Sequence, residues 1–455
     1  MIVEDFQISD WLEQCNDRRG LEFGDPRFIE LENRAGPGAP QQGDWITPFF
    51  NCIKLHKKPT CQLFSGYMGT GKSTCLHQLK HRLEKAGYLV LLVDAADYHD
   101  LDHSLAIDEL MILTAGAIGE QVSEQVGKNL VAQSYWDRFL TFLKAEIDIK
   151  ELNVPIPATG GNLKVALKSA DASFWMKVSE VLSVSIKSLK QSVDEYIGEC
   201  IGTLRQHYAN KYPQGVVFIL DSLERLRGDQ SQFQPIMDSV VKVFAQYKDF
   251  LRLPDCHVIY TVPPYIHMLR RINQDYEGGS KFPLPAIKVY DPDNHPYEPG
   301  IRDLMLLVAK RVPLDTVFGV DSSKSHTQGE AWDAFQNLIL SSGGHVRTLL
   351  KMVYDILFEN VGKDFPVQPE TIERVVATHR QLAEMAVDAD GHAVLAEISE
   401  TNSREGIPDR DLPQLARFMD SQAVLWYQNG DGWFAVHPLI WNLVERRKRK
   451  VDDQS

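Results

Sequence analysis

Cysteine is scarce in this chain of 455 residues: there are six, at positions 15, 52, 61, 75, 200 and 256. None forms a C-x-x-C pair and none joins histidines at zinc-ligand spacing, so the sequence encodes neither a disulfide framework nor a zinc site. Scattered cysteines fit a reducing cytosol, where each reads as a small buried hydrophobe. Positive charge is in deficit, with 48 Lys and Arg against 62 Asp and Glu and a formal charge of −14. That excludes a surface coated in basic residues for non-specific nucleic-acid binding, though it leaves room for a local basic patch. Long hydrophobic runs are missing too: no apolar stretch approaches the ~18–20 residues of a membrane helix. The acidic start Met1-Ile-Val-Glu-Asp5 has the character of neither a signal peptide nor a basic transit peptide. A cytoplasmic location with no membrane partner is the expectation. The 44% hydrophobic content is that of an ordinary globular chain, so at least one sizeable core can form.

Residues 1–59 read as an N-terminal lead-in, with helical spacing at Ile8, Trp11 and Leu12 and a breaker-rich loop over 35–43. Apolar strands are expected at 60–65, 88–93, 216–220 and 257–261, with Pro285–Tyr290 as a fifth. Runs of this kind suit a parallel sheet covered on both faces. Lys72 to about Ala86 has helical periodicity and stops at Gly87. A largely helical insertion at about 95–213 separates the second and third strands, with a loop or hairpin at 151–172. The expected fold class is α/β. A P-loop core spans 60–298, a helical lid 299–387 and a winged-helix-like domain 388–455. The hairpin signal in that last domain is Asn429-Gly-Asp-Gly432 between two apolar runs.

Gly66-Tyr-Met-Gly-Thr-Gly-Lys-Ser73 fits the P-loop pattern and sits between an expected strand and an expected helix, which is the context that gives the pattern its meaning. Gly66, Gly69 and Gly71 let backbone N–H groups turn inward around phosphate oxygens, and the following helix aims its positive end at the same anion. Lys72 is expected at the β- and γ-phosphates of ATP, Ser73 on Mg²⁺, and Thr74 near the α-phosphate. Asp221 closes the run Val216–Leu220, where a carboxylate can hold the Mg²⁺ shell. Ser222 follows it, and Glu224, three positions on, is the candidate base for the attacking water. Its bland alternative is a solvated glutamate or an arginine partner. Thr261 ends the fourth strand, either as a γ-phosphate sensor or simply as a strand cap before Pro263.

Arg347, in Ser342-Gly-Gly-His-Val-Arg347, falls in the first turn of a helix and can meet phosphate with a bidentate fork. Arg270 and Arg271 are candidates to enter a neighbour's site in trans, with Arg225 and Arg227 competing for that role. Arg446-Arg-Lys-Arg-Lys450 can touch DNA phosphates or serve as a solvated helix end. Trp426, Trp433 and His437 read as hairpin core.

Together these residues resemble the AAA+ and STAND superfamily of P-loop ATPases. Phe218-Ile-Leu-Asp-Ser-Leu-Glu-Arg225 looks like the Walker B segment of KAP-type ATPases. Ser342–Arg347 is similar to the sensor-2 helix of origin-recognition-like and transposon-regulator ATPases, which also carry a winged helix after the lid. The resemblance implies an ATP-binding and ATP-hydrolysing switch that forms homo-oligomers and controls a protein effector, in a bacterial anti-phage setting. Two alternatives stand beside it: an ATP-dependent DNA-binding regulator of replication or transposition, with DNA held by the C-terminal domain, and a nucleotide-binding scaffold with negligible turnover. Two departures matter. Ser222 stands where many relatives carry glutamate, which implies slow hydrolysis. The long helical insertion matches no ring motor.

Overall fold

Four of the apolar runs form the parallel strands their composition calls for: β1 Cys61–Ser65, β2 Tyr88–Asp94, β3 Gly215–Asp221 and β4 Cys256–Val262. They pair in the order β1-β4-β3-β2. Val216, Val217, Phe218, Ile219 and Leu220 of β3 are completely enclosed, as expected of a strand covered on both faces. Because the strands are parallel, Ser65, Asp221 and Thr261 arrive at one edge of the sheet. The register places Asp94 beside Asp221 and Phe64 beside Thr261.

The structure is a computed structural model. It describes residues 3–16, 19–30, 45–126, 186–226, 232–268, 272–278, 283–321, 329–388, 391–429 and 431–452. The loop expected at 35–43, the loop or hairpin expected at 151–172 and the flanking parts of the insertion lie outside these residues. In chain order the principal helices begin with α1 Asp5–Asn16, α2 Thr47–Leu55, α3 Lys72–Lys85, α4 Ile107–Val126, α5 Ile186–His207 and α6 Phe233–Val241. They continue with α7 Glu298–Ala309, α8 Leu314–Phe318, α9 Glu330–Ser341, α10 Val346–Glu359 and α11 Pro369–Met385. The last three are α12 His392–Thr401, α13 Leu412–Asp420 and α14 Trp441–Asp452.

The chain divides into two compact units. One comprises Ile46–Ser65 and Gln78–Lys281 and holds the sheet. Within it α4 packs on α5 and is enclosed around most of its circumference from Ile107 to Gly119. The inner face of α5 carries Leu189, Val193, Ile197, Cys200, Ile201 and Leu204, the stripe of a helix with one buried side. The buried carboxylate of Glu109, in the first turn of α4, meets His99 Nδ1 at 2.7 Å, so the buried polar group has a partner.

The other unit comprises Met1–Trp45, Gly66–His77 and Phe282–Ser455. Its core joins Ile8 and Cys15 of α1 to Leu304 and Val308 of α7, Phe335 and Leu338 of α9, and Val353 and Leu357 of α10. Beyond it, α12 and α13 lead into an antiparallel hairpin, β5 Val424–Asn429 and β6 Asp431–Val436, and then α14. This is the winged-helix-like order of elements. Trp433 and His437 are buried within it and Trp426 is half-buried, in line with their reading as core.

The fifth expected strand is not formed. Pro285–Tyr290 is buried and extended, but its backbone bonds elsewhere. Ala286 N–H donates to the Trp426 carbonyl (3.1 Å) and Ile287 N–H to that of Gly344 (3.0 Å). Pro285 has no N–H to offer a ladder. Strand character here is confined to isolated bridges at the segment's ends, Gly66 to Leu284 (parallel) and Tyr290 to Pro296 (antiparallel). All six cysteines are free and five are buried. No helix among the described residues is long and apolar enough to cross a membrane.

Candidate nucleotide site

The loop Gly66–Gly71 leaves β1 and enters α3 at Lys72. Gly69 and Gly71 have φ of +93° and +92°, on either side of Thr70. Side chains with a Cβ rarely adopt that region, and alternation of this kind turns successive N–H groups toward one concavity. Thr70 Oγ1 donates to the Tyr67 carbonyl (2.9 Å), bracing the curve from within. The Lys72 ammonium is buried and donates to the carbonyls of Gly66 (2.9 Å) and Tyr67 (2.8 Å). A cation held inside a glycine loop at a helix N-terminus is the donor set that a phosphate chain requires. These residues therefore fit the nucleotide expected of them. Ser73 and Thr74 open α3 as foreseen, and a segment that sequence reasoning did not single out lies on them. Leu21 N–H donates to Thr74 Oγ1 (3.0 Å), and a Cβ at Gly20 would sit 2.5 Å from Ser73 Cβ.

The Gly343-Gly344 turn brings Arg347 to the same loop. A Cβ on Gly69 would lie 2.6 Å from Arg347 Cβ and 3.0 Å from its Nε. The Arg347 stem thus packs on the face of the loop that Gly69 leaves bare. His345, the N-cap of α10, is wholly enclosed. Its Nδ1 accepts from Thr348 N–H (3.2 Å), which leaves the proton on Nε2, and Nε2 donates to the Met68 carbonyl (2.8 Å). Burial pushes its pKa down from 6.5 to about 3; the Met68 bond opposes the shift, and His437, Arg347 and Lys72 add to it. Gln422, between α13 and β5, donates through Nε2 to the same Met68 oxygen (3.1 Å). His345 lay inside a recognised motif without being assigned a role. No sequence signal pointed to Gln422.

Asp221 ends β3 with one carboxylate oxygen accepting from Ser222 N–H (2.7 Å). Ser222 has φ +73°, a left-handed conformation that folds the chain sharply into the 3₁₀ turn Leu223–Arg225. Thr261, fully buried, braces this turn: its hydroxyl accepts from Leu223 N–H (3.1 Å) and faces the Leu220 carbonyl at 3.5 Å. Glu224 is buried in the same turn and Arg225 is exposed. Arg227, Arg270 and Arg271 lie outside the described residues. Of the basic run, Arg446 pairs with Glu384 (2.7 Å); the side chains of 447–450 lie outside the described residues.

No protein-family model matches the chain, and no curated protein matches it. Solved structures do. Cdc6p from Pyrobaculum aerophilum is 12% identical, with a TM-score of 0.33 over 88% of this chain and 93% of that one. The Aeropyrum pernix Orc1 protein, solved in complex with DNA, is 13% identical, with a TM-score of 0.33 over 88% and 91%. The Orc2 protein of the same organism is 11% identical, with a TM-score of 0.34 over 93% and 98%. Likenesses of this size bear on neither activity nor ligand.

Proposed function

We propose that this protein is an ATP-binding switch of the AAA+ kind, with ATP hydrolysis as its reaction. The observation that carries this reading is the Gly66–Lys72 loop. Its positive-φ glycines, its enclosed lysine and the arginine stem against Gly69 form one phosphate-shaped constellation. Backbone N–H groups at Gly69, Gly71 and Lys72 would take the phosphate oxygens, and the Lys72 ammonium would exchange its loop carbonyls for the β- and γ-phosphates. Ser73 and Asp221 would hold Mg²⁺, which would neutralise charge on the phosphates. Glu224 would orient the attacking water and Thr261 would fix the turn that carries it. Arg347 would close on the γ-phosphate. Homo-oligomerisation, an arginine supplied in trans and control of an effector in bacterial defence belong to this reading through the motif resemblance.

ATP turnover by the purified chain, with and without duplex DNA, tests it, with Lys72→Ala as the control. Turnover that vanishes in Lys72→Ala and ignores DNA supports a switch read by a protein partner. Turnover that rises several-fold with DNA and weakens with salt would support the DNA-regulator alternative. The acidic net charge and the Arg446–Glu384 pair weigh against that outcome. Nucleotide binding without turnover would leave the scaffold. No nucleotide binding would overturn all three.

A further inference from the structure

Two side chains from separate parts of the chain converge on one backbone oxygen at the tip of the P-loop. His345 Nε2 and Gln422 Nε2 both donate to the Met68 carbonyl, at 2.8 and 3.1 Å. Neither belongs to the G-x-x-x-x-G-K-S pattern. Both are held for this task. The His345 tautomer is fixed by Thr348 N–H at Nδ1. Gln422 adopts φ +65°, a region that a residue with a side chain enters only at a conformational cost.

The Met68–Gly69 peptide is trans, so its C=O and N–H point in opposite directions. Fixing the Met68 oxygen with two donors fixes the Gly69 N–H on the far side. Arg347, packed against Gly69, blocks the peptide from turning over. We propose that Gln422 and His345 are positioning residues that hold the Gly69 N–H toward bound phosphate. The winged-helix-like module would thereby take part in binding a nucleoside di- or triphosphate without touching it. This rests on the nucleotide reading above and extends it to a residue about 350 positions away along the chain.

The test measures the affinity of the full-length protein for a fluorescent ADP and a fluorescent ATP analogue, together with the melting temperature of the nucleotide-free protein. Wild type should bind and Lys72→Ala should not; that pair tests the nucleotide reading alone. Gln422→Gly removes the amide but suits the left-handed backbone, so the nucleotide-free protein should melt no lower than wild type. Gln422→Glu keeps the shape and loses the donor. Each should bind about three- to tenfold more weakly, the size of one lost hydrogen bond. Unchanged affinity in both variants, with Lys72-dependent binding intact, would overturn the proposal and leave the nucleotide reading standing. Tighter binding would overturn it too, because the latch would then be holding the loop in its empty form. Weaker binding seen only in a variant that also melts lower would assign Gln422 a purely structural role and overturn it as well. If wild type does not bind, both readings fall together.

Discussion

Acid should loosen the unit that holds the P-loop, and the size of the effect can be worked out. Burial lowers the pKa of His345 to about 3 and that of His437 to about 4. In the unfolded chain each imidazole takes up a proton below about pH 6.5, whereas in the folded chain it stays neutral until the pH reaches its lowered value. Between those limits the unfolded state binds more protons, so stability is fully present above about pH 6.5 and falls as the pH drops. At about pH 5 each site has lost roughly 2 kcal/mol, about 1.5 pH units at 1.36 kcal/mol each, and the two together about 4 kcal/mol. The result hardly depends on the folded values, since both lie below pH 5. Urea unfolding followed by tryptophan fluorescence reads it, because Trp332, Trp426, Trp433 and Trp441 share a unit with His345. All other titrating groups are common to wild type and His345→Gln, so the difference between their pH profiles isolates one imidazole. His345→Gln should start less stable near neutral pH and lose about 2 kcal/mol less than wild type on going to about pH 5. Parallel profiles would refute a buried, neutral His345.

Gly344→Ala should destabilise this unit by about 3 kcal/mol. Its φ is +73° and a Cβ there would overlap the Ile287 carbonyl oxygen, which is backbone and cannot swing away; a loss in urea below about 1 kcal/mol would contradict the packing. Ser222→Gly should stabilise by about 1 kcal/mol by relieving φ +73°, read as a higher urea midpoint for the sheet unit. Glu224→Gln should abolish ATP turnover while nucleotide affinity stays within about twofold. Turnover unchanged by the substitution would remove Glu224 from the reaction.

The P-loop and the four strands could be read from the sequence because their determinants are local. A strand buried on both faces is a continuous apolar run, and the loop needs glycines and Lys72 at fixed spacing whatever surrounds it. Pro285–Tyr290 carries the same apolar signal yet forms no strand, because the partners of its N–H groups, Trp426 and Gly344, are set by tertiary structure. The helical spacing of α1 was readable, but its destination was not: an amphipathic stripe announces a buried face without naming what buries it. Gln422 was the least readable. It is a polar residue ahead of a hairpin, and only the folded backbone gives it positive φ and aims its amide at Met68.

The same tertiary bonds decide how the lid arginine can respond to a ligand. The turn that precedes Arg347 is tied at three points: His345 to Met68, Gly344 to Ile287, and Tyr427 Oη to the Gly343 carbonyl at 2.5 Å. Each such bond is worth about 1 kcal/mol net, so moving the turn would cost about 3 kcal/mol. A phosphate that gives Arg347 two charge-assisted hydrogen bonds returns about 1.5–3 kcal/mol for each. The two sums are of similar size. An arginine side chain that swings to phosphate while its turn stays tied keeps the His345–Met68 bond, as the positioning role of His345 requires.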